Sequence, residues 1–156
     1  MKDFALIRTD SRNLQFQALV HKLDAYLAIQ DGDEHAFYDQ FNKIDSLAHC
    51  LVAYKDELPV GCGAIKAFDS VAMEVKRMYV LPEYRGRGIA KQLLNGLEKW
   101  AFELNYSKCV LETGIRQPEA VALYTKHGYK RIPNYGQYEG VLNSLCFEKS
   151  LIKDNE

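Results

Sequence analysis

The chain has little with which to staple, anchor or charge itself: among its 156 residues are four cysteines, four prolines and one tryptophan, and no long apolar run. Cys50, Cys62, Cys109 and Cys146 fall on four separate predicted strands without a Cys-x-x-Cys spacing, so neither a redox pair nor half of a zinc site is present. They are expected as reduced, buried thiols. His21, His35, His49 and His127 are scattered with no His-Glu-x-x-His run, and Asp31-Gly32-Asp33-Glu34 lacks the alternating ligands of a calcium loop. No metal is expected. No segment approaches the roughly 20 apolar residues of a membrane span, and Met1 to Arg8 has no apolar run after its charge, so the expectation is a cytoplasmic protein with no membrane partner. Nor does one charge predominate: the formal net charge of −1 argues against a general polyanion binder, and no nucleic acid partner is expected.

What is present suffices for one core. With 47% of residues hydrophobic and 26% charged, residues 1–156 are expected to form a single domain. Phe4 to Arg8 reads as a strand. Phe16, Leu19, Val20, Leu23, Tyr26 and Leu27 mark a helix ending near Gln30, and Phe37, Phe41 and Ile44 mark a shorter one. Leu47 to Tyr54 and Leu58 to Phe68 read as strands joined by the turn Lys55-Asp56-Glu57. Val71 to Leu81 alternates as a third, with Met73, Val75, Arg77 and Tyr79 on one face and Ala72, Glu74, Lys76, Met78 and Val80 on the other. Ile89, Leu93, Leu94, Leu97, Trp100 and Leu104 share a helical face that stops at Asn105. Lys108 to Thr113 is a strand, and Pro118 to His127 a helix opened by proline and closed by Gly128.

The densest signal is Val80-Leu81-Pro82-Glu83-Tyr84-Arg85-Gly86-Arg87-Gly88-Ile89-Ala90, where a strand breaks, turns on two glycines and enters a helix. The first N–H groups of a helix lack intrahelical partners and glycine lets a ligand approach the backbone, so this arrangement suits an anion. Lys76, Arg77, Arg85 and Arg87 are read as serving one phosphorylated ligand. The run fits neither the Walker spacing nor the dinucleotide fingerprint. An RNA-binding reading of Arg85-Gly86-Arg87-Gly88 is disfavoured, because such segments normally sit in low-complexity runs and this one lies between a strand and a helix.

The pattern Arg85-x-x-Gly88-x-Ala90 resembles the pyrophosphate loop of the GNAT superfamily of acyl-CoA N-acyltransferases. A second signature downstream, Ala120, Leu123-Tyr124 and Gly128-Tyr129, is similar to that superfamily's as well, with Gln117 where an Asn is usual. The order of predicted elements matches over nearly the whole chain. The resemblance implies an α/β (α+β) fold with a mixed, mostly antiparallel sheet flanked by helices and a splayed strand pair that takes coenzyme A.

Carried onto this sequence, it implies acetyl-CoA as cosubstrate. Met78, Tyr79 and Val80 would meet pantetheine through main-chain atoms, the Val80 N–H would polarise the thioester carbonyl, and Arg85, Gly86, Arg87, Gly88, Ile89, Ala90 and Lys91 would hold the pyrophosphate, with Gln117 and Tyr124 also against the cofactor. Glu74 is the candidate base, on the face shared with Met78 and Val80, and Tyr124 the candidate acid for the departing thiolate. The acceptor pocket would draw on Phe37, Tyr38, Tyr135 and Tyr138, whose rings suit a cationic amine. The expected reaction is acetyl transfer to a primary amine, of a small molecule or alternatively of a protein or peptide, by direct attack in a ternary complex. A non-catalytic acyl-CoA sensor is the other reading, and a homodimer is left open.

Overall fold

The computed structural model describes residues 4–32 and 46–151. In chain order it contains β1 (Phe4–Thr9), α1 (Leu14–Asp31), β2 (His49–Lys55), β3 (Leu58–Ala67), β4 (Ala72–Val80), α2 (Ile89–Glu103), β5 (Lys108–Gly114), α3 (Pro118–Lys126), β6 (Lys130–Ile132) and β7 (Ser144–Ser150). Short 3-10 turns, Pro82–Tyr84 and Gly136–Tyr138, precede α2 and β7. The expected helix around Phe37, Phe41 and Ile44 lies outside the described residues, as do Phe37 and Tyr38 themselves.

Each helix begins and ends for a local reason. Asn13 caps α1, its side-chain oxygen accepting from the Phe16 N–H at 2.8 Å. Asn105, in the left-handed region at φ 74°, turns the chain out of α2 as the sequence predicts. One apolar stripe of α2, Leu93, Leu94, Leu97 and Ala101, packs on one face of the sheet against residues such as Ile65, Met73, Val75 and Leu111. On the other face α1 buries Phe16, Leu19, Val20 and Leu23 against Cys50, Val52, Cys62, Ala64 and Tyr79. All four cysteines are buried and free.

The seven strands form one sheet in the order β1-β2-β3-β4-β5-β7-β6. Every pairing is antiparallel except β4 with β5, whose contact covers only Ala72–Glu74 against Lys108–Val110. Beyond Glu74 and Val110 the two strands part while β4 runs on to Val80 and β5 to Gly114. The chain thus opens a wedge in the middle of its own sheet.

The faces of β4 depart from simple alternation. Register slips between Cys62 and Ala64 of β3, so that Cys62 pairs with Tyr79 but Ala64 with Lys76, and Arg77 in the resulting bulge has φ 63°. The bulge exchanges the faces of all that follows. Lys76 pairs with Ala64 and Tyr79 with Cys62, both of the α1 core, while Met78 comes against the Gly63 and Leu97 side, where α2 packs. Glu74 therefore lies opposite Met78 and Val80, contrary to the sequence expectation, and Arg77 and Tyr79 do not continue the Met73 and Val75 face.

Candidate active site

The wedge between β4 and β5 holds a cleft of about 130 Å³, lined by Leu23 and Leu27 of α1, Glu74 to Met78 of β4, Glu112 to Gly114 of β5, then Gln117, Ala120, Tyr124 and Tyr138. A second cleft, about 320 Å³, lies over the start of α2 between Val80, Tyr84, Arg85, Gly86 and Gly88 to Lys91 on one side and Leu123, Lys126 and His127 of α3 on the other. Both open beside the same strand end.

Glu74 is buried at 9% exposure and held at both oxygens. The Tyr135 hydroxyl donates to its Oε2 at 2.7 Å, and Lys76 Nζ stands 3.6 Å from its Oε1. Tyr135 is itself fixed edge-on between Phe68 and Tyr138. Burial, reinforced by the adjacent carboxylate, pushes the Tyr135 phenol well above its ordinary range, so it remains a donor. Tyr124 faces the same cleft from α3 with its ring against Tyr129, and its hydroxyl makes no hydrogen bond among the described residues. Its phenol is likewise pushed up, by burial first and the Glu112 charge second. It stays protonated throughout the neutral range.

At the second cleft the backbone is the part left open. Gly86 and Gly88 adopt φ 79° and 81°, and a Cβ added at either meets nothing within 4 Å, so the space before the α2 N-terminus is clear. The arginines are turned back onto the protein. Arg85 Nε donates to the Val80 carbonyl at 2.8 Å and its guanidinium packs on Tyr26 and Tyr79, while Arg87 lies over Tyr84. Lys76 and Arg77 line the other cleft, so four cations do not converge on one phosphorylated group as the sequence reading has it. The Leu81 N–H bonds the Val60 carbonyl, so Val80, one residue earlier in an antiparallel ladder, directs its own N–H away from β3 toward the wedge.

The Acetyltransferase (GNAT) family model matches residues 16–129, from the first turn of α1 to the third residue after α3. The chain belongs to the GNAT acetyltransferase family. It is 36% identical over 136 residues to a protein of Azospirillum brasilense named IAA acetyltransferase, covering 85% of this chain and 88% of that one. A Klebsiella pneumoniae crystal structure assigned as an acyl-CoA N-acyltransferase superposes with TM-score 0.80 at 30% identity, covering 96% and 98% of the two chains. A GNAT acetyltransferase of Elizabethkingia anophelis, solved with acetyl-CoA bound, shares the fold at TM-score 0.69 and 15% identity over 96% and 99%.

Of the residues expected from the sequence, the structure of this GNAT protein brings Glu74, Met78, Gln117, Tyr124 and Tyr138 to one cleft and Val80, Arg85, Gly86, Gly88, Ile89, Ala90 and Lys91 to the other. The sequence reading misses Glu112, Lys126 and His127. Their signal is positional, since Glu112 lies inside a predicted strand and Lys126-His127 ends a predicted helix, but facing requires the sheet order. Burial first, then the Lys91, Lys149 and Lys126 charges, lowers the His127 pKa, and Lys91 and Lys126 line the glycine-loop cleft beside it. Among the described residues no group of His, Cys, Asp or Glu is placed to hold a metal ion, and no helix is long and apolar enough to cross a membrane.

Proposed function

We propose that this protein transfers an acetyl group from acetyl-CoA to a primary amine of a small molecule by direct attack in a ternary complex. The observation that carries the reading is the divergence of β4 from β5, which puts Glu74 and Tyr124 on one cleft next to the Gly86–Gly88 loop. The glycine loop and α2 N-terminus fit a pyrophosphate, and Lys91 and Lys126, which line the same cleft, add positive charge there. Acetyl-CoA supplies the activated acyl group.

The residues divide the proton work. An amine attacks only when neutral, so Glu74, directly or through a water, takes a proton from the acceptor nitrogen as the N–C bond forms. The Val80 N–H is directed where a thioester oxygen would gain charge. As the C–S bond breaks, the neutral phenol of Tyr124 donates to the departing sulfur; Glu74 then returns its proton to solvent and the phenolate takes one back, restoring both groups. None of the four buried cysteines serves as an acyl carrier. The small volume of the wedge favours a compact acceptor over a folded protein surface.

Incubation with acetyl-CoA, a panel of amines and a thiol reagent tests the reading. The expected result is amine-dependent release of coenzyme A thiol, with the acetylated amine identified by mass spectrometry. The name of the Azospirillum relative makes IAA one compound to include. Thermal stabilisation by acetyl-CoA with no acceptor-dependent release would instead support a sensor.

A further inference from the structure

We infer that the acceptor carries a carboxylate near its amine and that Arg77 binds that carboxylate. The inference rests on the transfer reading above and names its substrate class. Arg77 occupies the β4 bulge at φ 63°, a conformation that side-chain-bearing residues rarely adopt, and the bulge carries it to the α1 face. Its side chain is only 2% exposed. Nη1 donates to Asp24 Oδ1 at 3.1 Å, whereas Nε and Nη2 are buried with no hydrogen-bond partner among the described residues.

Those two nitrogens are a particular pair. Their N–H bonds run parallel along one edge of the guanidinium plane, the spacing that meets both oxygens of a carboxylate. A buried cation with most of its donors unused is unfavourable, and an anion on that edge removes the penalty. The residue itself lies on the cleft that a substrate would enter. Arg77 lines the wedge, and Asp24, which orients it, lies on α1 between Leu23 and Leu27, both lining the same cleft. Asp24 is partly exposed, so it only partly offsets the buried charge. Lys76, the other cation of this wall, is already beside Glu74.

Glu74 and Arg77 then act on one molecule. Three strand residues span about 10 Å between Cα atoms, and both residues line the same cleft. An amine and a carboxylate a few bonds apart, as in an amino acid, match such a pair of groups.

The test uses pairs of compounds that differ only in the carboxylate, such as phenylalanine with phenethylamine and leucine with isoamylamine. Two readouts are taken with the full-length protein: kcat/KM from thiol release, and thermal stabilisation of the coenzyme A complex by the N-acetylated member of each pair. The expected outcome is a preference of tenfold or more for the carboxylate member of at least one pair. In Arg77→Gln that preference should fall by about tenfold to hundredfold, the loss associated with charge-assisted hydrogen bonds, and the acetyl-CoA thermal shift should persist. Arg77-dependent stabilisation by N-acetylated carboxylates without any turnover would uphold the carboxylate site while sinking the transfer reading. Turnover of amines with no preference for the carboxylate member would do the reverse, as would equal losses for both members in Arg77→Gln. The absence of both turnover and stabilisation by any carboxylate overturns the site. The wild-type comparison decides the matter even if Arg77→Gln does not fold.

Discussion

At the scale of single residues, the two groups proposed to handle protons differ in how they are held, and that difference can be measured. Tyr124 has a hydroxyl without a hydrogen-bond partner among the described residues, so Tyr124→Phe keeps the ring packing against Tyr129 and should leave stability within about 1 kcal/mol. Its kcat should nevertheless fall by about a hundredfold or more, the usual loss for a general acid. Glu74→Gln retains an oxygen for the Tyr135 hydroxyl but not the basic site. Its deficit should shrink as pH rises and more amine is already neutral, whereas the Tyr124→Phe deficit should not. Profiles of kcat/KM against pH for both variants check this; a Glu74→Gln deficit flat with pH would assign the proton to another group. Tyr138, foreseen as an acceptor wall, is 2% exposed and packs on Cys146, so its truncation would report core damage before specificity. Tyr135→Phe, which deletes only the donor to Glu74, is the cleaner probe of that wall.

At the scale of elements, the strand–loop–helix unit from Ala72 to Glu103 carries most of the candidate site, and its loop can be broken without breaking the fold. Gly88→Ala and Gly88→Glu both place a Cβ at φ 81° but in open space, so each should cost about 1–2 kcal/mol of backbone strain and no steric clash. Only the glutamate fills the approach with negative charge. The acetyl-CoA-induced rise in Tm should survive in part in Gly88→Ala and vanish in Gly88→Glu; an unchanged rise in a folded Gly88→Glu would take the phosphate role from this loop. This unit also marks where the sequence was legible and where it was not. Apolar spacing placed α2, Pro118 and Gly128 bracketed α3, and the two glycines located the anion loop, because each is a local constraint. The face of Glu74 was misassigned because a bulge leaves no trace in alternation: its cause is a register slip opposite Gly63, a partner more than ten residues away in sequence. For the same reason the local charge count at Lys76, Arg77, Arg85 and Arg87 misled. Sequence proximity grouped four cations that the bulge and the Val80 carbonyl send to different places.

At the scale of the whole molecule, the sheet and its two helical layers bury an unusual set of weak acids. Burial is the first cause raising Cys50 and Cys109 to about 12 and Cys146 to about 11, and it raises Cys62, Tyr124, Tyr129, Tyr135 and Tyr138 as well. Unfolding returns each group to a lower pKa, so above the unfolded values the unfolded chain holds fewer protons than the folded one and stability declines as pH rises. Each such group removes up to about 1.4 kcal/mol per pH unit within its window. Urea unfolding should therefore give similar midpoints at pH 7 and 8 and a steep loss from about pH 9 upward, beginning with the thiols; a midpoint unchanged at pH 10 would mean that these groups are solvated in the native state. The same thiols have a practical meaning. A reagent that reads thiolates finds almost none on the native protein at the pH of an acyl-transfer reaction, so every thiol counted in such a reaction belongs to released coenzyme. The protein can be used at concentrations equal to its substrate, and a single turnover can be followed with no background from the protein itself.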